Sequence, residues 1–135
     1  MFKIVKRFIE WIKLKERLHQ TAYKPPLFRQ GEVWWCSIGE NVGSEINGKS
    51  KLFSRPVLIF KKLSSVTFLG IPTSSQDRTG SWYVRITLQN KESVVILSQI
   101  RVFDYKRLSS KIGHLDAYDY KQVKMAFRKL FLNER

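Results

Sequence analysis

The chain has very little cysteine: Cys36 is the single thiol among 135 residues. One cysteine excludes an internal disulfide and any metal site built from several thiolates, and it makes a reducing compartment such as the cytoplasm the natural setting. Cys36 lies within an extended apolar segment and has no base beside it. We therefore interpret it as a small buried side chain and not as a nucleophile.

Long apolar runs are also lacking, because none reaches the roughly 18 residues that a membrane-spanning helix requires. Charged side chains interrupt the N-terminal segment every two or three positions from Lys3 to Arg17, which argues against a signal peptide. We therefore expect no stable membrane insertion. The aromatic share of 13% and the absence of Pro-, Gly- or Ser-rich tracts predict a folded chain with one domain.

Acidic residues are scarce, since 11 Asp and Glu stand against 25 Lys and Arg and the net charge is +14. A field of this sign attracts polyanions over a salt-screened range, so nucleic acid is the first candidate partner. An acidic protein or an anionic membrane would be attracted as well. The charge alone does not choose among the three.

The N-terminal segment has helical periodicity. Residues 2–20 carry apolar side chains on one face at 3.6-residue spacing, with charged side chains opposite. The apolar side chains are Ile4, Val5, Phe8, Ile9, Trp11 and Ile12. Pro25 and Pro26 end this segment, because proline does not continue a helix. We predict an amphipathic N-terminal helix extension at residues 1–24 and a barrel domain at residues 25–135.

After Gly31 the pattern becomes extended. Five segments rich in β-branched and aromatic residues are predicted to be strands. They span residues 32–38, 55–60, 66–71, 81–88 and 93–100. The turns between the later strands are too short for crossover helices, so we expect a largely antiparallel sheet that curls into a small barrel.

The C-terminal segment is helical again, with Asp116 as a plausible N-cap and Asp119 at the capping-box position. One stripe of this helix carries Tyr120, Val123, Phe127, Leu130 and Phe131. We expect the stripe to pack on the barrel. The predicted fold class is therefore α+β, mainly β, with a helix at each end of the chain.

Residues 43–50, GSEINGKS, match the phosphate-loop pattern of nucleotide triphosphatases letter for letter. That loop binds phosphate only where it joins a strand to a helix whose N-terminal amides face the anion. Here the chain runs from Lys51 directly towards Pro56 and a predicted strand. We reject a nucleotide site on this ground.

Arginine and hydroxyl side chains are the remaining candidates for a catalytic site. His19 and His114 each stand apart from the few carboxylates, so neither a histidine triad nor a metal site is indicated. Arg55 stands at the entrance of one predicted strand, and Thr73, Ser74 and Ser75 follow another. An arginine suits phosphate because its fork of donors matches two oxygens and its charge does not titrate away.

A family resemblance links these residues. Six segments match in order: Gly31-Glu-Val-Trp34, Val42-Gly-Ser-Glu45, Arg55-Pro-Val-Leu-Ile59, Pro72-Thr-Ser-Ser-Gln76, Ser93 to Arg101 with Asp104, Arg107 and Leu108, and Lys111-Ile-Gly-His-Leu115. Each segment is weakly specific alone, but six in order are specific. Together they resemble the MazF/PemK family of toxin endoribonucleases.

This resemblance implies an SH3-like, CcdB/PemK-type barrel that forms a homodimer and is inhibited by a cognate antitoxin protein. It also implies cleavage of single-stranded RNA, such as mRNA, with no metal and no cofactor. The family's arginine matches Arg55 and its hydroxyl matches Ser74, and we assign Thr73 to the same catalytic group. Substrate contacts are assigned within the matched segments and the adjoining loop to Glu45, Lys49, Trp34, Ser75, Gln76, Gln99 and Arg101.

The sequence departs from the family's pattern in three places. Ser74 stands where threonine is usual, residues 47–54 lengthen the loop before Arg55, and the N-terminal helix precedes the first strand. We expect that helix to cover the barrel or a dimer seam.

Two other functions stay open on the sequence. One is a noncatalytic toxin of the same barrel type, like the CcdB toxins that poison gyrase, and the other is a regulator that binds anionic membrane through the N-terminal helix. Arg55 and the hydroxyls at residues 73–75 favour cleavage, because a gyrase poison has no need of them.

Overall fold

The computed structural model describes residues 7–22 and 24–133. In chain order the elements are α1 (Phe8–Gln20), β1 (Glu32–Ser37), β2 (Ser54–Lys62), β3 (Thr67–Ser74), β4 (Tyr83–Leu88), β5 (Lys91–Ile96), β6 (Arg101–Asp104), β7 (Leu108–His114) and α2 (Ala117–Phe131). Short 3-10 turns join β5 to β6 and β6 to β7. The predicted class, mainly β with a helix towards each end, is confirmed.

The strands form one antiparallel sheet in the order β4-β5-β3-β2-β1-β7. β3 has two partners on one edge: its first half pairs with β6, while Thr73 and Ser74 pair with β5. Gln89, just after β4, donates its side-chain amide to the Ile112 carbonyl in β7 at 2.7 Å. The two outer strands of the sheet therefore approach each other, and the sheet is curled, as predicted.

β6 and β7 were not predicted as strands. β6 is only four residues long, and β7 has exposed polar side chains at Ser109, Ser110 and Lys111. They are extended because they satisfy the backbone groups of their neighbours: Phe103 pairs with Phe68, and Lys111 pairs with Trp34. Pairing with strands already in place outweighs their weak local preference for extended structure.

Both faces of β1 and β2 are covered, which accounts for their nearly continuous apolar sequence. Trp34 and Val57 pack in a cluster with Phe28, Phe68 and Phe103 on one face. On the other face a second cluster includes Val33, Leu58, Ile71, Leu97 and, from α2, Val123. A slip of one residue would exchange the two sets, so two-sided burial specifies the register of β1 on β2.

Helix α2 begins where the sequence predicts. The Asp116 carboxylate accepts a hydrogen bond from the Asp119 amide at 2.7 Å, which satisfies one free donor of the first turn. Val123 is fully buried, and the Phe127 ring lies 5.0 Å from the Phe60 ring. The Tyr120 hydroxyl donates to the Phe60 carbonyl at 2.7 Å. Side chains of the predicted apolar face therefore pack α2 against β2.

Helix α1 packs through a narrower stripe than the sequence suggested. Residues 2–6 of the predicted helix lie outside the described residues. Trp11 and Leu14 are buried, whereas Ile9 is 72% and Ile12 62% exposed. The apolar arc is broader than the contact available, and the barrel covers only the edge that carries Trp11 and Leu14. No helix in the described part of the chain is long and apolar enough to cross a bilayer.

Glu32 is a carboxylate buried at the start of β1, with 4% of its surface exposed. Its oxygens accept hydrogen bonds from the Trp34 indole and the Arg29 amide, both at 2.9 Å, and pair with the Lys111 ammonium at 2.9 Å. Burial alone would raise the pKa of Glu32, but these three partners outweigh burial and lower the pKa. The charged carboxylate therefore stabilises the fold.

We expect Glu32→Gln to lower the free energy of unfolding at neutral pH by about 1.5 to 3 kcal/mol, the usual worth of hydrogen bonds to a charged group. A lowered pKa contributes stability above the ordinary carboxyl value and loses it as the pH falls through the folded-state pKa. The difference between wild type and variant should therefore shrink in acid. Urea unfolding at neutral and acidic pH checks this, with exposed Glu92→Gln as control. An equal difference at both pH values would contradict the prediction.

Candidate active site

Arg55 and Ser74 are neighbours across the β2–β3 pair. Val57 pairs with Pro72 in this antiparallel ladder, and continuing the register by two residues sets Arg55 opposite Ser74. The Thr73 hydroxyl donates to the Pro56 carbonyl at 2.9 Å, which confirms the alignment. The structure therefore brings together the arginine and the hydroxyl that the sequence singled out.

These residues line one open cavity of about 460 Å³, which we call the Arg55 cleft. Its wall includes Arg55, Thr73, Ser74, Ser75, Lys49 and Trp35. The cleft lies where β2 begins and β3 ends, close to Gln89 in the turn after β4 and to Lys91 at the start of β5. Four predicted site residues besides Arg55 thus share the cleft with it.

The Arg55 guanidinium is partly buried and is held by a backbone group. Its Nε donates to the Asn47 carbonyl in the loop between β1 and β2. Neither of the two ion pairs found within residues 7–22 and 24–133 involves Arg55. Burial, and then the charge of Arg78, lower the pKa of Arg55, although a guanidinium remains protonated at neutral pH. Within the described residues no carboxylate therefore neutralises its positive charge, which is available to an anion.

Arg78 is a second cation at this site that sequence reasoning missed. Its Nη2 donates to the Gln76 side-chain oxygen at 3.2 Å, while its buried Nε has no hydrogen-bond partner among the described residues. Arg78 follows the hydroxyls of residues 73–75 in an exposed polar loop. The sequence of this loop has no periodicity from which a site residue could be predicted. An anion near Arg55 would also experience the charge of Arg78.

The three hydroxyls at the end of β3, on Thr73, Ser74 and Ser75, differ in whether their proton is still free to form a hydrogen bond. Thr73 is 2% exposed, and its proton is used by the Pro56 carbonyl. Ser74 is 3% exposed, and its oxygen accepts from the Gln76 amide at 3.1 Å, which leaves the hydroxyl proton available. Ser75 is exposed. Ser74 is thus the sheltered hydroxyl in the cleft that can still donate.

The assignment of Trp34 as a substrate contact is corrected by its position. Trp34 is 8% exposed, packs in the core, and donates its indole to Glu32. Its neighbour Trp35 points to the other face, is 41% exposed and lines the Arg55 cleft. Side chains alternate along a strand, so the two neighbouring rings lie on opposite faces of β1. Trp35 is therefore the candidate for base stacking.

Glu45, Gln99 and Arg101 lie together in a second cavity of about 630 Å³. Pro72 lines this cavity and the next residue, Thr73, lines the Arg55 cleft, so both cavities are in contact with β3. The Gln99 side-chain oxygen accepts from the Ile46 amide at 3.0 Å and connects the wall of the second cavity to the β1–β2 loop. The predicted substrate contacts thus fall into two groups.

Glu45 and Gln76 are both exposed loop residues. The Glu45 carboxylate accepts from the Val42 amide at 2.9 Å, and the Asn47 carbonyl, not Glu45, accepts from the Arg55 side chain. Gln76 is exposed beside Arg78 and lines neither cavity. The phosphate-loop motif belongs to the β1–β2 loop and leads into β2, not into a helix, as its rejection assumed.

Cys36 is fully buried in the core, and burial raises the pKa of its thiol to about 12. It is therefore no nucleophile, which confirms the interpretation from the sequence. Among the described residues no three His, Cys, Asp or Glu side chains lie close enough together to hold a metal ion.

The chain is similar to known proteins in sequence and in fold. Endoribonuclease EndoA of Bacillus subtilis is 29% identical over 100 residues, which is 67% of this chain and 82% of the relative. The fold matches MazF from Deinococcus radiodurans with a TM-score of 0.63 at 19% identity, over 84% of this chain and 100% of that one. It also matches a mycobacterial endoribonuclease solved with its cognate antitoxin, with a TM-score of 0.55 at 13% identity, over 79% and 93% of the two chains.

A family model covers the whole barrel domain apart from its ends. The family is described as the PemK-like, MazF-like toxin of type II toxin-antitoxin systems, and its model matches residues 29–131. The match includes the Arg55 cleft, the second cavity and α2, and it begins after α1. The chain therefore belongs to the PemK-like, MazF-like family of type II toxins.

Proposed function

We propose that this chain is the toxin of a type II toxin-antitoxin pair and cleaves single-stranded RNA as an endoribonuclease, with the Arg55 cleft as its active site. The observation that carries the proposal is the pairing, across β2 and β3, of a sheltered hydroxyl with an arginine that forms no ion pair with a carboxylate of the described residues. The related Bacillus subtilis protein is named an endoribonuclease, which supports the same activity here.

The cleft suits attack of the ribose 2′-hydroxyl on the adjacent phosphate. The 2′-oxygen forms a bond to phosphorus, the bond to the 5′-oxygen breaks, and the 2′-proton is released while the leaving oxygen gains one. The products are a cyclic phosphate and a 5′-hydroxyl end. Arg55 neutralises the charge that grows on the nonbridging oxygens, and such contacts commonly contribute about 3 to 4 kcal/mol each.

The Ser74 hydroxyl donates a hydrogen bond to the same phosphate. Because the nucleophile belongs to the RNA, serine can replace threonine at this position without changing the reaction. Thr73 holds the turn in place through Pro56. These groups supply charge and hydrogen bonds without a metal ion or an organic cofactor, so we propose a reaction that needs neither.

The RNA chain passes from the Arg55 cleft across β3 into the second cavity. Lys49 lies beside Arg55 and attracts the backbone, while Trp35 offers a ring face to one base. Glu45, Gln99 and Arg101 line the second cavity and can read the edges of neighbouring bases. A base must leave its duplex to stack on Trp35, which favours single-stranded RNA and some sequence specificity.

The partners follow from the charge and from the relatives. A structure of the Deinococcus radiodurans protein is a MazE–MazF complex, similar to this chain with a TM-score of 0.57 at 15% identity. A net charge of +14 suits an acidic antitoxin as well as RNA. We propose a cognate antitoxin, a homodimer and action on mRNA in the cytoplasm.

Arg55→Ala should lower kcat for RNA cleavage by about a hundred- to a thousandfold, because it removes the main positive charge that stabilises the transition state. Cleavage of a defined RNA is measured in excess chelator, with the ends of the products mapped. The exposed Arg128→Ala removes the same charge elsewhere and serves as control. Undiminished cleavage by a folded Arg55→Ala variant would rule out this active site.

Ser74→Ala should lower kcat by roughly a hundredfold, the range seen when one transition-state donor is removed, while Ser74→Thr should restore most of it. Thr73→Val breaks the bond to Pro56 and should lower the free energy of unfolding by about 1 kcal/mol with a smaller effect on kcat. Single-turnover cleavage and urea unfolding of the three variants test this. If Thr73→Val were the slower enzyme, the hydroxyl would be misassigned.

Trp35→Ala should raise KM by about tenfold, since stacking is worth about 1 to 3 kcal/mol per base. Trp35→Phe should keep part of the affinity. Trp82→Ala is the matched control, because Trp82 is exposed to a similar extent and packs on Phe131 instead. Steady-state kinetics on one RNA compare the variants, and an unchanged KM in Trp35→Ala would remove Trp35 from the RNA path.

A further inference from the structure

Helix α1 packs on the β1–β2 loop, residues 38–53, and also contacts the 3-10 turn at Tyr105–Arg107. The Trp11 ring lies 5.6 Å from the Phe53 ring. It also lies directly over Gly39, where a Cβ atom would come within 2.4 Å of the indole. Phe53 is only 2% exposed, and it forms one small cluster with Trp11 and Leu14. The loop and the helix thus share a core of their own.

Arg7, the residue just before α1, adds polar contacts to the same loop. The Arg7 amide donates to the Glu40 carboxylate at 2.9 Å, and the Arg7 guanidinium donates to the Ser50 carbonyl at 3.0 Å. The same guanidinium lies 4.0 Å above the Phe53 ring. Arg7 therefore contacts the loop both near its beginning and near its end.

Hydrogen bonds inside the loop continue from these contacts towards Arg55. The Phe53 carbonyl accepts from the amides of Ile38 and Gly39, and the Gly48 amide donates to the Gly39 carbonyl at 2.8 Å. Gly48 touches the Phe53 backbone so closely that a Cβ atom there would lie 1.7 Å from the Phe53 carbonyl oxygen. The next residue back is Asn47, whose carbonyl accepts from Arg55.

We propose that α1 is a positioning element for Arg55, acting through the β1–β2 loop and the Asn47 carbonyl. The inference rests on the proposed function of the Arg55 cleft. A loop of this length that lacked an anchor would sample many conformations. Burial of Trp11 and Leu14 against Phe53 selects the one in which Asn47 meets Arg55. A shift of about 1 Å in a catalytic group can lower a rate by as much as a hundredfold, so this contact affects catalysis from a distance.

The test compares helix variants in the full chain. Trp11→Ala and Leu14→Ala should each lower kcat by about ten- to a hundredfold with little change in KM, and Trp11→Phe should restore part of the rate. Ile9→Ala and Ile12→Ala are matched controls on the same helix, because their side chains are 72% and 62% exposed. Both should cleave RNA at the wild-type rate.

Two further measurements follow the loop without depending on cleavage. Amides at residues 38–53 should exchange faster in Trp11→Ala, while those of β2 and β3 keep their protection. The NMR resonance of the Arg55 Nε–H, identified by its loss in Arg55→Ala, should move as its bond to Asn47 weakens. Retained protection in β2 and β3 separates a released loop from an unfolded barrel.

The outcomes separate the two proposals. If the wild-type chain does not cleave RNA, the proposed function fails, and the Nε–H resonance still shows whether α1 orients Arg55. If the wild type cleaves and Trp11→Ala keeps its kcat, the positioning role is overturned. Faster loop exchange with an unmoved Arg55 resonance would overturn it as well, because α1 would then stabilise the loop alone.

Discussion

The hydrogen bond from the Arg55 side chain to the Asn47 carbonyl is the contact on which the site depends. A partly buried guanidinium needs a partner, because desolvating a charge without one is costly. A carboxylate would satisfy it but would also neutralise it and compete with a phosphate. A backbone carbonyl orients the side chain with a dipole and leaves the full positive charge. The nearby charge of Arg78 increases the attraction for an anion, at the expense of repulsion between the two guanidinium groups.

The rest of the site follows from strand register. Two-sided burial of β1 and β2 leaves one pairing that keeps both clusters apolar, and the same ladder carries Arg55 and Ser74 at its end. Polar site residues can be placed accurately there because the positions that determine the register, such as Val57 and Leu58, lie a few residues away in the core. The same strand register therefore determines both the stability of the fold and the position of the cleft residues.

Prediction from the sequence succeeded where periodicity or ordered motifs were strong. β1 to β5, the Asp116 cap and the pairing of Arg55 with Ser74 were all accessible in this way. β6 and β7 were missed because their conformation depends on the backbone edges of β1 and β3 and not on their own side chains. Trp34 was chosen over Trp35 because alternation separates two faces without telling which is inside. Asn47 and Arg78 act from loops, where position depends on tertiary contacts that no local pattern records.

The N-terminal helix and the long β1–β2 loop are best understood as one unit. Phe53 is apolar and lies next to β2, so without Trp11 its ring would face solvent beside the active site. Helix α1 would likewise expose Trp11 and Leu14 if the loop were short. Each segment therefore supplies the burial that the other lacks, and neither adds to the main core of the barrel. A longer loop gives more surface for contacts with RNA, but fixing it in one conformation costs conformational entropy. The N-terminal helix fixes the loop without altering the strands that carry Arg55 and Ser74.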